Sequence, residues 1–237
     1  MTDDDGHFRR KESQFRNTIS KGGKHPPEKN RYALYLNYGC PWAHRTNIVR
    51  SLKGLEDVIQ LIVMGIDLGP DGWLFDGKYG SEAVDPLYGV KSTKELYQKA
   101  DASYHGKYTV PCLWDKQLET VVNNESSEII RMLYKEFDDF LPEDRKELSR
   151  PLLPERLRHE IEAMNEWVYD TINNGVYKCG FTTSQEAYDK HIYPLFESLD
   201  RIEKHLGEPG HGPLLFGDHV TEADIRSENQ CTSREDD

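Results

Sequence analysis

The chain has 237 residues, enough for one large domain or two small ones with a sizeable hydrophobic core. Its 42 acidic and 30 basic residues give a formal net charge of −12, which disfavours nucleic acid or an anionic membrane face as a partner. No apolar run approaches membrane-spanning length, and the acidic N-terminus lacks the apolar core of a signal peptide. We therefore expect a cytoplasmic protein with no membrane partner.

The four cysteines of the chain are widely separated: Cys40, Cys112, Cys179 and Cys231. They form no CxxC pair and lack the spacing of zinc ligands. A chain of this size needs no disulfide framework. A reducing compartment and the absence of a metal cofactor are the resulting expectations.

The first half of the chain alternates strand and helix signals. Residues 1–30 are polar and predict an extension that either wraps the surface, with Phe15 and Ile19 as docking residues, or stays mobile. Strands are predicted at residues 31–38, 59–64, 108–114 and 119–123, and helices at 41–53, 92–104 and 126–137. The first two strands flank a helix, so they are expected to be parallel.

Residues 37–45, Asn-Tyr-Gly-Cys-Pro-Trp-Ala-His-Arg, connect the first strand to the first helix. Pro41 suits the first helical turn, which places Cys40 at the start of the helix. A helix N-terminus stabilises a thiolate and lowers the pKa of a thiol. The alternative is a cysteine buried as a small hydrophobe, but Gly39 and Pro41 favour an exposed turn. Cys40 is therefore the candidate nucleophile.

Three other stretches of this half carry candidate binding residues. The long segment 65–107 contains Trp73, which serves either as an anchor for the segment or as a ligand contact. Val110 and Pro111 fall inside a predicted strand, where proline marks an edge, a bulge or a cis bond. At the start of the next helix, Asn124 is the expected N-cap, and Glu125 offers a carboxylate beside helix N–H groups that favour an anion.

The second half of the chain is predicted to be helical. An acidic, proline-containing linker at 138–154 precedes helices at 155–173 and 184–206. Between them, residues 173–181 predict a glycine-bounded loop with an exposed Tyr177. Thr221 and Asp224 resemble a capping box at a further helix start. Residues 227–237 have no apolar face, so that helix is not expected to continue.

This order of elements resembles a glutathione transferase, with a thioredoxin-like domain followed by an all-helical domain (fold class α/β plus all-α). The closest resemblance is to the xi class, the glutathionyl-hydroquinone reductases, and to its fungal branch. The motifs that carry it are Cys-Pro-Trp-Ala-His-Arg at 40–45, Gly-Trp at 72–73, Thr-Val-Pro at 109–111, residues 123–130, residues 173–180, and Phe-Gly-Asp at 216–218 with residues 221–226.

The resemblance implies roles for the candidate residues. Cys40 would take glutathione as a mixed disulfide, and Val110, with a cis Pro111 after it, would pair with the cysteinyl backbone. Glu125 and Ser126 would hold the γ-glutamyl group. Trp73 would cover the bound glutathione, and Tyr177 would face the aromatic product, acting either as a proton donor or by packing alone. The substrates would be small-molecule glutathione conjugates.

Two features depart from the family pattern. Relatives use an arginine before the Val-Pro strand for a glutathione carboxylate, and Lys94 or Lys107 would replace it here with a less oriented contact. Relatives also continue the helix after Arg226. The resemblance therefore predicts an extension (1–30), a thioredoxin-like domain (31–140), a truncated helical domain (155–226) and an aberrant polar tail (227–237). The family homodimer is expected to be impaired, and Trp167, Ile172, Leu195 and Leu199 are expected to be partly exposed.

The expected activity is the glutathione-dependent reduction of glutathionyl-hydroquinones to hydroquinones. No second cysteine follows Cys40 at close spacing, so an external glutathione must release it. Two alternatives stay open: an omega-like thiol transferase or dehydroascorbate reductase, and an inactive form that only binds glutathione.

Overall fold

The computed structural model describes residues 3, 5–147 and 149–228, without the side chain of Glu228. The described residues divide into two compact units. Residues 13–150 form the sheet unit. The helical unit combines the described residues up to Glu12 with those from Pro151 onward.

The sheet unit is built on a four-stranded mixed sheet. Its strands are β1 (Tyr32–Leu36), β2 (Gln60–Val63), β5 (Cys112–Asp115) and β6 (Thr120–Asn123), in the order β2-β1-β5-β6. β1 and β2 are parallel, as predicted, while β5 runs antiparallel to both β1 and β6. Every residue of β1 is fully buried, which explains its run of Tyr, Ala and Leu.

In the described part of the sheet unit, the α-helices that accompany this sheet are α1 (Pro41–Lys53), α2 (Thr93–Ala100) and α3 (Ser126–Lys135). α1 has the predicted bounds because Pro41 fits its first turn and Gly54, with φ +72°, ends it in the left-handed conformation. The long segment before α2 contains a short hairpin of two antiparallel strands, β3 (Leu68–Gly69) and β4 (Gly72–Trp73), each two residues long. The predicted third strand is shorter than expected, because Val110 and the cis Pro111 precede it.

Residues 13–30 are part of the sheet unit, where Arg16 forms an isolated antiparallel bridge with Asn123 of β6. The predicted docking by Phe15 and Ile19 is confirmed. Ile19 is 1% exposed, and the Phe15 ring lies 5.6 Å from that of Tyr97. Asn17 N–H donates to Val122 O of β6 at 3.0 Å. Residues 13–30 of the predicted extension therefore belong to the sheet unit, whereas its described residues up to Glu12 belong to the helical unit.

Among its described residues, the helical unit contains the α-helices α4 (Arg158–Trp167), α5 (Gly175–Gly180), α6 (Gln185–Leu206) and α7 (Glu222–Glu228). A π-helical stretch, Val168–Asn173, continues α4. Ser184 caps α6 by accepting a hydrogen bond from Ala187 N–H at 3.2 Å. Before α7, Thr221 N–H donates to Asp224 Oδ2 at 2.8 Å, which is one of the two bonds of the predicted capping box, and Thr221 Oγ1 donates to the same oxygen at 2.7 Å.

The structure corrects three expectations about this unit. Residues 175–180 form α5 instead of a loop, and the Lys178 N–H closes its first turn by donating to Asn174 O at 2.7 Å. α7 reaches residues 227–228, which were expected to be polar tail, whereas 229–237 and Cys231 lie outside the described residues. Ile172 and Leu195 are buried, not partly exposed, while Trp167 and Leu199 are half-buried.

In the part of the chain that the structure describes, no helix has both the length and the apolar character needed to span a bilayer.

Candidate active site

Cys40 lies at the junction between β1 and α1. It is the N-cap residue of α1, with extended backbone (φ −102°, ψ 109°), and Pro41 follows it in the first turn. Asn37 holds the turn that leads from β1 to Cys40. Its Oδ1 accepts a hydrogen bond from Gly39 N–H at 2.8 Å, and its Nδ2 donates to Gly65 O. This turn holds a half-buried thiol at the positive end of a helix dipole, where an anion is favoured.

The Val110 backbone lies next to this sulfur. Cys40 Sγ is 3.7 Å from Val110 O, in the residue directly before the cis bond to Pro111. Thr109, the residue before Val110, is held by the Tyr97 hydroxyl, which donates to Thr109 O at 2.9 Å. Among the described residues, none makes a hydrogen bond to the Val110 N–H. A peptide-like ligand can therefore pair with this backbone as an added strand pairs with a sheet edge.

Burial keeps Tyr97 a neutral hydroxyl group. It is fully buried, and burial raises its pKa well above the usual value. Its oxygen also accepts a hydrogen bond from Asn124 Nδ2 at 3.1 Å. Asn124 is thus part of the support beneath Val110, and it is not the helix cap that the sequence predicted.

The cap of α3 is Glu125. Its Oε1 accepts hydrogen bonds from Ser127 N–H at 3.2 Å and from Ser127 Oγ at 2.9 Å. Its Oε2 accepts another from Ser13 Oγ at 3.2 Å. The side chain keeps 23% of its surface exposed. A carboxylate with this exposure, at a helix start, can receive an ammonium group of a ligand while the helix favours a carboxylate beside it.

Arg45 connects the Cys40 region to the Glu125 region, and the sequence analysis did not identify it as a site residue. Its side chain is 2% exposed, and its Nη2 donates to Ser126 Oγ at 2.6 Å. The same nitrogen lies 3.9 Å from Glu125 Oε1. An arginine four positions before the buried Val49 of α1, on the same helix face, was the available signal. Cys40, Val110, Glu125 and Ser126 are therefore brought to one end of the sheet unit by α1, α3 and the cis-proline turn.

Trp73 lies in β4, Lys94 in the first turn of α2, and Lys107 in the loop that follows α2. Trp73 is half-buried and donates its backbone N–H to Thr93 Oγ1 at 2.9 Å. Lys107 is exposed, and its carbonyl accepts a hydrogen bond from the Tyr104 hydroxyl at 2.9 Å. Lys94 forms an ion pair with Asp71 at 2.7 Å.

Tyr177 belongs to the helical unit, where it stands on α5 in a stack of aromatic rings. Its ring centroid is 5.9 Å from that of Phe8 and 5.7 Å from that of Phe181. The Arg10 guanidinium lies 4.6 Å from the Tyr177 centroid, and its Nε donates to Asn174 Oδ1 at 2.7 Å. The polar N-terminal segment thus supplies two neighbours of Tyr177, which its composition did not reveal.

The other described thiols are in poorer positions to react. Cys112 is fully buried in β5, and burial raises the pKa of its thiol. Burial also raises the pKa of the half-buried Cys179, although the nearby Lys178 charge partly opposes this. Since the thiolate is the nucleophile, both environments disfavour reactivity.

Comparison with known proteins places this arrangement in a family. The model of the "Glutathione S-transferase, N-terminal domain" family matches residues 39–136. The chain is 50% identical over 223 residues to the "Glutathione S-transferase omega-like 2" of Schizosaccharomyces pombe, covering 94% of this chain and 70% of that one. It is 44% identical over 229 residues to the Escherichia coli "Glutathionyl-hydroquinone reductase YqjG", covering 93% and 67%.

Solved structures give the same result. The Xi glutathione S-transferase of Phanerochaete chrysosporium superposes with a TM-score of 0.91 at 50% identity, covering 97% of this chain and 72% of that one. The glutathione-bound structure of YqjG superposes with a TM-score of 0.83 over 92% and 70% of the two chains. The predicted fold class, a thioredoxin-like domain with a glutathione transferase helical domain, is confirmed. The chain is an enzyme of the glutathione transferase superfamily, and it belongs to the family of Xi-class glutathione transferases and glutathionyl-hydroquinone reductases.

Proposed function

We propose that the protein reduces glutathionyl-hydroquinones to hydroquinones, with glutathione as the reductant and Cys40 as the nucleophile. The observation that carries the proposal is the place of Cys40 at the start of α1, with its sulfur 3.7 Å from Val110 O. A thiol there has the electrostatic support that nucleophilic cysteines need. It also lies beside the backbone that a glutathione cysteinyl group can pair with.

The reaction has two thiol-exchange steps. The Cys40 thiolate attacks the glutathione sulfur of the conjugate, an S–S bond forms, and the carbon–sulfur bond to the ring breaks. The bonding electron pair stays with the ring, which takes up a proton and leaves as the hydroquinone. A second glutathione, as its thiolate, then attacks the mixed disulfide, releases oxidised glutathione and restores Cys40. One conjugate and one glutathione thus give one hydroquinone and one oxidised glutathione.

Glutathione binding is assigned to the polar groups around Cys40. Val110 pairs with the cysteinyl backbone, while Glu125 receives the γ-glutamyl ammonium group and Ser126 its carboxylate. Support comes from the exposed fraction of Glu125 and from the α3 N-terminus beside it. Trp73 covers the bound tripeptide, and Lys107 meets the glycyl carboxylate. Arg45 positions Ser126 and Glu125 from beneath.

Tyr177 is assigned to the aromatic half of the substrate. Its hydroxyl donates a hydrogen bond or a proton to a hydroquinone oxygen as negative charge develops on the ring. The stack supports this role, because Phe8 and Phe181 hold the Tyr177 ring in a fixed position.

The test uses a synthetic glutathionyl-hydroquinone, with dehydroascorbate as the comparison substrate. Cys40→Ser should abolish turnover of the conjugate, while the controls Cys112→Ser and Cys179→Ser keep it. Intact mass after incubation with the conjugate should show one added glutathione on the wild type and none on Cys40→Ser. Turnover by Cys40→Ser would contradict the mechanism. Efficient reduction of dehydroascorbate without conjugate turnover would favour the omega-like activity, and loss of both with retained glutathione binding would indicate an inactive binding form.

A further inference from the structure

The C-terminal end of α6 carries a cluster of three potential metal ligands, His205, Glu208 and His211. One ligand atom from each lies within 4.8 Å of the others. His205 and His211 are half-buried, and Glu208 is exposed. The cluster borders a cavity of about 630 Å³ in the helical unit, which Trp167, Arg201 and Phe216 also line. Neither the chemistry at Cys40 nor the stack at Tyr177 uses these residues.

The two imidazole rings are oriented by a shared acceptor. His205 Nε2 and His211 Nδ1 each lie 2.7 Å from Leu215 O. A carbonyl oxygen only accepts hydrogen bonds, so both of these nitrogens carry the proton. In the neutral rings, Nδ1 of His205 and Nε2 of His211 are therefore left with their lone pairs available.

This orientation is typical of metal-binding histidines, which donate their second nitrogen to a carbonyl or a carboxylate. The acceptor is itself held in place, because Leu215 N–H donates to Asp224 Oδ1 at 2.7 Å. The Phe216 ring packs edge-on against both imidazoles, 5.7 and 6.2 Å between centroids. The rings are thus fixed from two sides before any ligand binds.

The electrostatic setting also suits a cation. α6 ends at Leu206, so the negative end of its dipole lies beside His205. Glu208 adds a carboxylate within reach of both rings. Arg201 and Lys204 face the same cavity and oppose a cation, but Arg201 is engaged over the Trp167 ring, 4.2 Å from its centroid.

We propose that His205, Glu208 and His211 bind a divalent transition metal, with Zn²⁺ as the best match. Two imidazoles and one carboxylate form a ligand set that zinc uses, leaving a position for water. Ligands at about 2.1 Å in a tetrahedral site lie about 3.4 Å apart, so the ligand atoms, now within 4.8 Å of one another, need only a small side-chain adjustment on binding. The proposal is independent of the glutathione chemistry, and it departs from the sequence expectation of no metal, which considered cysteine spacing alone.

The experiment titrates chelator-treated, reduced full-length protein with ZnCl₂ by calorimetry and follows thermal unfolding with and without Zn²⁺. Glu208→Gln, His205→Ala and His211→Ala should each weaken binding at least tenfold, and they should reduce the rise in melting temperature that a native-state ligand produces. His219→Ala is the matched control, since His219 is a highly exposed histidine of the same unit, next to Asp218. It should bind zinc as the wild type does.

Circular dichroism without metal establishes that each variant folds. Glu208 is exposed, so Glu208→Gln tests the site even if a histidine variant is unstable. The proposal is overturned if the wild type binds no Zn²⁺. It is also overturned if the binding it shows, for example at thiols, is the same in Glu208→Gln and in the folded histidine variants.

Discussion

Arg45 Nη2 donates to Ser126 Oγ at 2.6 Å, so one buried guanidinium joins the helix that begins after Cys40 to the helix that Glu125 caps. The two residues are 81 positions apart in the chain. Because the same nitrogen lies 3.9 Å from Glu125 Oε1, Arg45 supports both of the side chains that we assign to the γ-glutamyl group.

The first prediction follows from this link. Arg45→Met removes the guanidinium and leaves Ser126 and Glu125 without it, so glutathione binding should weaken by about tenfold or more, as hydrogen bonds to charged groups contribute roughly 1.5–3 kcal/mol. Calorimetric titration with glutathione measures the change.

Arg50→Met is the matched control for that variant. Arg50 is also a buried arginine of α1, but it donates to Ile59 O at 2.8 Å, away from Ser126 and Glu125. Both variants should lower the melting temperature, and only Arg45→Met should weaken glutathione binding. Equal affinities in the two variants would remove the positioning role of Arg45.

The second prediction concerns the pH dependence of thiol alkylation. A thiol reacts as its thiolate, so a raised pKa moves its reactivity to higher pH. We expect iodoacetamide to modify Cys40 first at pH 7. Cys179 should react only as the pH passes 9.0, the ordinary value above which burial raises its pKa. Cys112, whose pKa burial also raises, should react only in unfolded protein.

Peptide mass spectrometry after timed alkylation at several pH values separates the sites. The unfolded chain in denaturant is the control, in which the differences among the three thiols should disappear. A Cys40 that reacts no faster than Cys179 at pH 7 would contradict the contribution of the helix N-terminus.

The parts of the fold that local signals determine were predictable from the sequence. Pro41 and Gly54 mark both ends of α1, and the predicted bounds agree with the structure. The pairing of β1 with β2 followed from the helix between them. Glycine was misleading at α5, because Gly175 and Gly180 are the first and last residues of a short helix and not the ends of a loop. A glycine at each end of a segment therefore does not distinguish a loop from a short helix.

The site was predictable where its residues adjoin a turn or a helix start, as at Cys40, Val110 and Glu125. Arg45 was missed because its role depends on Ser126, far away in sequence. Phe8 and Arg10 were missed for the same reason, since their partner is Tyr177, at the other end of the chain. Long-range pairing of this kind leaves no periodic pattern.

The third prediction concerns the buried ion pair between Arg31 and Asp115, 2.7 Å apart. Burial raises the pKa of Asp115, but hydrogen bonds from Arg31 and His25 outweigh it and hold the pKa below 3.8. Folding thus favours the charged form of Asp115. The contribution of this carboxylate to stability is complete well above pH 3.8 and is lost as the pH falls below that value. Asp115→Asn leaves the buried Arg31 with the exposed Glu28, 3.4 Å away, as its carboxylate partner, and it should cost up to about 3–5 kcal/mol at pH 7.

Urea unfolding of wild type and Asp115→Asn between pH 7 and pH 3 tests this. The difference in unfolding free energy should shrink toward the acid end, where the wild type also loses its charge. Asp139→Asn is the control, because Asp139 pairs with Lys21 on the surface and contributes little. A difference between wild type and Asp115→Asn that stays constant with pH would contradict the ion-pair account.

The last prediction separates chemistry from packing at Tyr177. Tyr177→Phe keeps the ring between Phe8 and Phe181 and beneath Arg10, and it removes only the hydroxyl. If that hydroxyl donates to the hydroquinone oxygen, substrate binding should persist while the single-turnover rate of Cys40 glutathionylation falls by about a hundredfold or more. Tyr188→Phe, which alters another partly exposed tyrosine of the helical unit, should leave that rate unchanged.

The measurement is rapid-quench intact mass of the enzyme mixed with excess glutathionyl-hydroquinone. An unchanged rate in Tyr177→Phe would assign Tyr177 to the aromatic stack alone, and a weakened binding step with a normal rate would make it a substrate contact without an acid role.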